Sequence, residues 1–400
     1  MKLGLNRPYM TINPVVLLFF LYASANSYAF YLLIANGGFS VFGEFFLIDS
    51  AVSISVFLIQ IFLLLFFLVL YRFFAQAGRP RLELKNKYGY FLLFVTFAFF
   101  CFNQVTGAGR AGTGFSFEGG SILNIIFVLL QPDLLFFFIA PFLRSNRLFY
   151  IVTCVFFISL LSRGWMGSVL FLFVVYLVRF YPVRITARNF IYLAFLGFFV
   201  VMSLPFLDGI KWGMRSGMSL SEVFNQVLSG NYFDILLVVL ESVVSRFQNI
   251  NYAAYALQNS EFFHVSLLQG DFLWFFQDGI INSIYCKLNS CAVDLNLFSA
   301  ETLYGETGLT WNIDPGLSGW ISVLYEYVVF FFLFMCFLLL LSYRAFSRLY
   351  GLQGSLLLGC FVYIYLFHGW LGAFYNLVLY GLFFYLFVRV KVFKGVPVYE

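Results

Sequence analysis

Charged residues are scarce in this chain, because Asp, Glu, Lys and Arg make up only 10% of its 400 residues. A soluble domain would carry about a quarter. Hydrophobic residues instead account for 62% and aromatic residues for 23%. Val15 to Ala23 and Val56 to Leu70 are nearly unbroken apolar runs, whereas strands of a membrane barrel would alternate over ~10 residues. Since helices satisfy their own backbone groups in lipid, we predict an all-α polytopic membrane protein.

Histidine is equally scarce, with only His264 and His368 in the whole chain. Two isolated histidines without clustered carboxylates do not predict a metal site. The sequence contains no G-x-x-x-x-G-K-[ST] motif, and the G-x-G-x-x-G at Gly107–Gly112 follows a predicted membrane helix rather than a strand. We therefore interpret that stretch as a connector and expect no nucleotide, metal or other cofactor.

Four of the six cysteines lie in apolar runs, where they behave as small hydrophobic residues. Only Cys286 and Cys291 fall in the long polar stretch from Asp208 to Leu317. If that stretch faces an oxidising compartment, a short-loop disulfide is one reading and two free thiols the other. The sequence leaves this open.

At ~20 residues per crossing, hydropathy predicts ten spans. They lie near 12–35, 50–74, 88–107, 121–143, 149–162, 165–181, 190–207, 318–343, 353–368 and 371–390. With the N-terminus inside, the inner connectors receive 17 of the 23 Lys and Arg residues, as the positive-inside rule requires. This divides the chain into helices 1–7 (1–207), one large outer loop (208–317) and helices 8–10 (318–400).

The predicted topology depends on how two segments of the chain are interpreted. The segment 149–181 is predicted to be a hairpin turning at Ser162–Gly167, because one continuous helix would move most later basic residues outside. Its first arm, about 21 Å long at 1.5 Å per residue, is short for a ~30 Å hydrocarbon layer, which predicts that Arg163 lies at or below the outer headgroup level. Within the loop, Asp234 to Leu257 predicts an amphipathic helix at the outer leaflet.

Arginines on the outer side oppose the charge bias and need an explanation. A guanidinium matches phosphate oxygens with a planar fork of donors and stays charged at any working pH. Arg163, Arg215 and Arg246 come from separate elements and can converge at the outer interface to bind phosphate. The alternative is a simple ion pair, such as Arg215 with Asp208 or Arg246 with Glu241.

Acids inside predicted spans can mark ion pathways. Asp133, in a helix that Pro132 should kink, and Glu326 in the eighth span are the two candidates; interhelical pairing or hydrogen bonding is the favoured reading for both. His264 is a candidate general base near neutral pH. For His368 a structural hydrogen bond is favoured.

The layout of many Phe-rich spans with one dominant outer loop before the last helices resembles the Wzy-type O-antigen or oligosaccharide repeat-unit polymerases. Ser162-Arg163-Gly164 and Pro315-Gly316-Leu317-Ser318-Gly319-Trp320 with Tyr325 add to the likeness. The resemblance implies a GT-C-like glycosyltransferase of the bacterial inner membrane, with its active site facing the periplasm. Such an enzyme moves a growing glycan from undecaprenyl pyrophosphate onto an incoming lipid-linked repeat unit, without nucleotide or metal.

The resemblance also implies partners and roles. The partners are the lipid-linked donor and acceptor, membrane lipid and a chain-length regulator protein, with no nucleic acid. The basic residues assigned to the diphosphate are Arg163, Arg215, Arg246, Arg110 and Lys211. The candidates for accepting the hydroxyl proton are His264, Glu306 and Asp314.

Two other classes of protein stay open on the sequence. An O-antigen ligase, which transfers finished glycan to the lipid A core, has the same composition. A polysaccharide flippase or ion-coupled transporter would use Asp133 and Glu326, but the internal repeats expected of many transporters are not visible. A non-catalytic scaffold would leave the outer arginines unexplained.

Overall fold

The computed structural model describes residues 11–41, 43–75, 82–107, 122–165, 167–184, 186–216, 220–280, 282, 293–305 and 313–389. Most of these residues are helical, which confirms the predicted mainly α-helical class. Among them, six helices are long and apolar enough to cross a membrane. Three shorter apolar helices accompany these six: Asn146–Ser162, Val169–Phe180 and Leu371–Phe384. The chain is thus a multi-pass membrane protein.

The first half of the chain consists of apolar helices joined by short connectors. They are α1 (Pro14–Asn36), α2 (Ser50–Phe74), α3 (Asn86–Thr106), α4 (Ile122–Leu130), α5 (Pro132–Ile139), α6 (Asn146–Ser162), α7 (Ser168–Phe180) and α8 (Ala187–Ser216). The described residues of this half also form four short strands. They are β1 (Thr11–Ile12) before α1, β2 (Gly38–Val41) and β3 (Glu44–Leu47) between α1 and α2, and β4 (Val183–Arg184) between α7 and α8. β1 pairs antiparallel with β4, and β2 pairs antiparallel with β3.

The second half contains short helices followed by two long ones. The short helices are α9 (Leu220–Ser229), α10 (Tyr232–Ser245), α11 (Ile250–Gln258), α12 (Ser260–Gln269), α13 (Leu295–Tyr304) and α14 (Gly316–Val323). The long helices are α15 (Val328–Phe361), extended by a π-helical turn at Val362–Leu366, and α16 (Leu371–Arg389). The single helix predicted over Asp234–Leu257 is two helices, because α10 ends before Arg246 and α11 begins at Ile250.

Polar side chains set several helix starts in this apolar sequence. The Asn13 side chain accepts hydrogen bonds from two backbone N–H groups of α1, and Asp49 and Ser145 cap α2 and α6 in the same way. Such caps satisfy N–H groups that have no partner within the helix. Pro132 separates α4 from α5, since Gln131 adopts a left-handed conformation with φ 44°. The predicted kink at Pro132 is therefore a complete break.

The predicted hairpin over 149–181 is confirmed. α6 ends at Ser162, the chain turns through Gly164 with φ 70°, and α7 returns. At the far end of the hairpin, Arg179 of α7 donates to the Asn146 side chain at the start of α6, with Nη2 and Oδ1 2.6 Å apart.

A second turn lies inside α15, between two of the predicted spans. Gly351 has φ 65° and ψ −153°, which no helix contains. A Cβ placed on Gly354 would lie only 2.5 Å from the Phe346 carbonyl oxygen, whereas residues eight apart in a continuous helix are about 12 Å apart. The chain therefore folds back at Gly351. The first arm begins at Val328 rather than at the predicted 318, because α14 is a separate buried helix.

The connectors gather at two ends of the bundle. At one end, which we call the basic end, Leu84 bridges to Leu143, and Gln353 donates to the Val178 carbonyl at 3.1 Å. The opposite end, which we call the loop end, carries the β2–β3 hairpin, α11 to α14 and the turn between Leu366 and Leu371. Described parts of the predicted inner connectors thus meet at the basic end, and the β2–β3 hairpin, α11 to α14 and the turn before α16, all predicted outer, lie at the loop end.

Candidate functional site

A partly buried ion pair joins the break before α5 to the end of α6. Arg163 Nη1 lies 3.0 Å from Asp133 Oδ2, and Nη2 lies 2.8 Å from Oδ1. Its Nε donates to the Ser159 carbonyl at 3.2 Å. The Arg163 side chain is 4% exposed and that of Asp133 34% exposed. The guanidinium also lies 5.0 Å from the Phe99 ring centroid, a cation–π contact.

The predictions for the two members of this pair have different outcomes. Interhelical pairing, the favoured reading of Asp133, is present. For Arg163 the bidentate fork expected to face a phosphate faces a carboxylate, and three of its five N–H donors bond Asp133 and Ser159. The assignment of Arg163 to a diphosphate remains a prediction, and a phosphate would have to share or replace Asp133.

A second polar cluster lies at the loop end, where the segment before α14 meets the turn before α16. Trp370 Nε1 donates to Asp314 Oδ1 at 2.5 Å. Burial raises the pKa of the Asp314 carboxyl to about 7, against the lowering effects of the Trp370 hydrogen bond and the Arg246 charge, while the Asp294 charge raises it further. Such a carboxyl changes charge near neutral pH, as a general base must.

Arg246 is the cation of this cluster. It follows α10 directly and its side chain is exposed. Its charge acts on both Asp314 and His368. Among the ion pairs between described residues, none joins it to Glu241, the partner that the sequence offered. The break in the predicted helix therefore presents a guanidinium whose charge acts on the Asp314 carboxyl.

Two glycines allow the turns that carry Asp314 and Trp370 to touch. Gly316 and Gly369 have φ 69° and 76°, and a Cβ on Gly369 would lie 3.0 to 3.1 Å from backbone atoms of Gly316. The turns are fixed by hydrogen bonds to the Phe367 carbonyl from Leu317 N at 3.1 Å and Asn249 Nδ2 at 3.2 Å. The π-helical turn at Val362–Leu366 leads into this contact, and π-helical turns are frequent at functional sites.

His368 has the structural hydrogen bond that its position favoured. Its Nε2 lies 2.9 Å from the Tyr22 hydroxyl of α1. Burial lowers the pKa of the ring to about 3, and the charge of Arg246 lowers it too. The imidazole is therefore neutral at working pH and too weakly basic to take a proton from a hydroxyl.

Two neighbouring aromatic side chains lie between the partly buried ion pair and the Asp314 cluster. The Tyr365 ring lies 6.0 Å from the Trp370 ring, centroid to centroid. Tyr365 is also close enough to Asp133 for the charge of the carboxylate to act on its hydroxyl. Tyr365 and Trp370 thus form a chain of neighbours between Asp133 and Asp314. Sequence reasoning missed Tyr22, Tyr365 and Trp370, because aromatic residues in apolar runs look alike.

His264 belongs to a different patch, at the start of α15. Its Nδ1 lies 2.9 Å from the Val323 carbonyl and its Nε2 lies 3.9 Å from Glu326 Oε2. Its ring contacts Tyr325, with centroids 4.7 Å apart. Glu326 is 66% exposed and lies in a turn at the start of the apolar segment Tyr325–Leu366, which is one of the candidate membrane spans. The described contacts of His264 are with this patch rather than with Asp314.

The remaining predicted residues divide into described and undescribed ones. Lys211, in α8, pairs with Asp208 at 3.4 Å and lies 4.5 Å from the Trp212 ring centroid. Asp208 thus has Lys211 as a partner, and its predicted pairing with Arg215 concerns a side chain outside the described part of the structure. Outside the described residues lie Arg110, Glu306, Cys286, Cys291 and the side chain of Arg215.

The described residues contain no group of three His, Cys, Asp or Glu that could hold a metal ion. Fold and site define a multi-pass α-helical membrane protein with an ionisable cluster where its loop end meets the bundle. No protein-family model, curated protein or solved structure matches the chain.

Proposed function

We propose that the protein polymerises undecaprenyl-pyrophosphate-linked repeat units by glycosyl transfer at the outer face of the bacterial inner membrane. One observation carries the proposal: the pKa of the Asp314 carboxyl is raised to about 7, and the charge of Arg246 acts on this carboxyl at the junction of loop and membrane helices. A titrating acid and an exposed guanidinium there suit the transfer of sugar between two lipid-anchored substrates.

The chemistry assigns one task to each group. The bond between the donor sugar C1 and the diphosphate oxygen breaks, and C1 bonds to the acceptor hydroxyl oxygen. Asp314 takes the hydroxyl proton, and Arg246 stabilises the charge that develops on the departing diphosphate. The diphosphate is its own leaving group, so the main contribution of the protein is to hold both substrates in place.

The other basic residues extend this anion site. Arg163 contributes by exchanging part of its bond with Asp133 for a phosphate oxygen, since both ligands match the same guanidinium fork. Arg215, Arg110 and Lys211 are proposed to guide the diphosphate. His264 and Glu306 are the alternative candidates for the base if Asp314 does not take that role. The proposed transfer step uses no metal and no nucleotide.

The proposal includes a topology. Ten spans with a cytoplasmic N-terminus and a periplasmic loop over 208–317, in a GT-C-like arrangement, would put the loop end outside. The separation of a basic end from the loop end supports it, because basic connectors favour the cytoplasmic side. Membrane lipid and a chain-length regulator protein are the proposed partners besides the substrates, with no nucleic acid.

Deletion of the gene, followed by lipopolysaccharide gel electrophoresis, tests this function. Loss of a polymerase leaves core bearing a single repeat unit, whereas loss of an O-antigen ligase leaves core alone. An unchanged ladder would contradict both enzymes. The flippase or transporter alternative has less support, because Asp133 is paired with Arg163 and Glu326 is exposed at the surface.

A substitution of Arg246 tests the assigned site. Arg246→Gln removes a charge that lowers the Asp314 pKa, so the acidic limb of the pH–rate profile should move to higher pH as the maximal rate falls. Arg246→Lys, which keeps the charge but loses the fork, should leave the limb in place. An unshifted limb in Arg246→Gln would remove Asp314 from the role of base.

A further inference from the structure

A small polar cavity lies beside the Asp314 cluster and has no part in the proposed reaction. Its lining comes from the segment after α12, the start of α13, α14 and the turn before α16. The lining residues include Asp278, Asp294, Asn296, Trp274, Trp320 and Gly369. Its interior has room for about one water-sized species.

The polar side chains of this cavity offer acceptors. Asp278 and Asp294 contribute carboxylates. The Asn296 side chain is 5% exposed, and its Oδ1 has no hydrogen-bond partner among the described residues. A buried amide oxygen without a partner costs about 1–3 kcal/mol. The cavity therefore favours an occupant that is a donor or a cation.

The charges of the cavity favour a cation. Asp278 and Asp294 line the same small cavity, and its described lining includes no Lys or Arg side chain. Two carboxylates in one cavity attract a hard metal cation, whose positive charge a bound water lacks.

The existing hydrogen bonds leave room for such an ion. Asp278 accepts from Gly279 N at 2.7 Å and from Gly372 N at 2.8 Å, and Asp294 Oδ1 accepts from Leu297 N at 2.7 Å. A carboxylate offers about four lone-pair sites. Each acid can therefore keep these bonds and still bind a cation.

We propose that this cavity binds a divalent cation of the Ca²⁺ class through the carboxylates of Asp278 and Asp294 and the amide oxygen of Asn296. Oxygen-only ligands select hard cations. Ca²⁺ tolerates irregular geometry and completes its shell with water or backbone carbonyls, whereas Mg²⁺ demands a near-ideal octahedron. With two acidic ligands, the site should bind in the range of about 10⁻⁴ to 10⁻³ M, as extracellular modules do.

The cation would fasten the loop to the bundle. Asp278 already reaches the backbone of Gly372 in α16, and Asp294 begins α13. Gly369, which lines the cavity, precedes the Trp370 that holds Asp314. Occupancy of the site should therefore stabilise the same turn that positions the candidate base.

Binding can be measured directly on the full-length purified protein in detergent. CaCl₂ titrated against NaCl of matched ionic strength should change tryptophan fluorescence saturably, because Trp274 and Trp320 line the cavity, and should raise the unfolding temperature. MgCl₂ should act more weakly.

Two variants and one control separate a built site from general charge effects. Asp294→Asn keeps a residue that caps helices equally well but should weaken Ca²⁺ binding about tenfold or more, since charge count tunes such sites. Asn296→Asp adds a ligand charge and should tighten binding by about the same factor. Asp271→Asn, at an exposed acid of the same loop, should leave binding unchanged.

Two outcomes would overturn the proposal. One is the absence of any saturable response to Ca²⁺ beyond that to NaCl. The other is a response that Asp294→Asn and Asn296→Asp leave unaltered. Neither measurement depends on enzymatic activity, so the result is independent of the proposed function.

Discussion

Asp314→Asn should stabilise the protein at alkaline pH while abolishing its activity. Asparagine has nearly the shape of the carboxyl and keeps an oxygen to accept the Trp370 hydrogen bond, but it never ionises. Burial raises the pKa of Asp314 from 3.8 to about 7. At about 1.4 kcal/mol per pKa unit, ionising Asp314 in the folded protein costs on the order of 4 kcal/mol.

The sign of the pH dependence follows from linkage. The folded protein holds the Asp314 proton more tightly than the unfolded chain, so this group favours the folded state below pH 3.8 and that contribution is lost as pH rises through about 7. The advantage of Asp314→Asn should therefore be small at pH 4, grow up to pH 7 and stay constant above it.

Thermal unfolding in detergent between pH 4 and pH 9 measures this difference, with Asp271→Asn as the matched exposed-acid control. Activity should disappear in Asp314→Asn at every pH. A variant that is less stable than the parent at pH 8.5, or an advantage that does not change with pH, would refute a buried, ionisable Asp314.

Three further substitutions test the packing of the site. Arg163→Met alone should cost about 1–3 kcal/mol, because it removes charged hydrogen bonds to a carboxylate that is one-third exposed. Combining it with Asp133→Leu should restore stability but not activity; a double variant as unstable as the single one in thermal unfolding would contradict this. Gly369→Ala should lower the unfolding temperature more than Gly270→Ala. Both glycines have positive φ, but an added Cβ would crowd the Gly316 backbone at position 369 and would have no neighbour within 4 Å at position 270. Equal losses would mean that crowding the contact between the two turns does not destabilise the protein. Tyr22→Phe should cost about 1–3 kcal/mol of unfolding free energy by leaving a buried imidazole nitrogen without a partner, and an unchanged midpoint would argue against that hydrogen bond.

The membrane character and several turns of this fold can be predicted from local sequence. Apolar runs define the helices, Pro132 marks a helix break, and charge parity correctly predicts the hairpin at Gly164. These features depend on residues close together in the chain. The helix break at Arg246 was missed, because the apolar pattern continues through it while the backbone does not.

The side-chain pairs of the site could not be predicted in the same way. Asp133 and Arg163 are 30 residues apart, and Asp314 and Trp370 are 56 apart. Their contacts depend on the depth and rotation of separate helices, which hydropathy does not determine. One signal was available: Pro132 forces a helix to start beside Asp133, which places that acid at a helix N-terminus.

In the function that we propose, the protein joins lipid-linked repeat units with the Asp314 carboxyl as base. The most direct test is to incubate purified protein in lipid with undecaprenyl-pyrophosphate-linked repeat units alone. The account predicts longer glycans, one undecaprenyl pyrophosphate released per new glycosidic bond, and neither product with Asp314→Asn. Transport of the units across the bilayer without joining them, or equal polymerisation by Asp314→Asn, would contradict it.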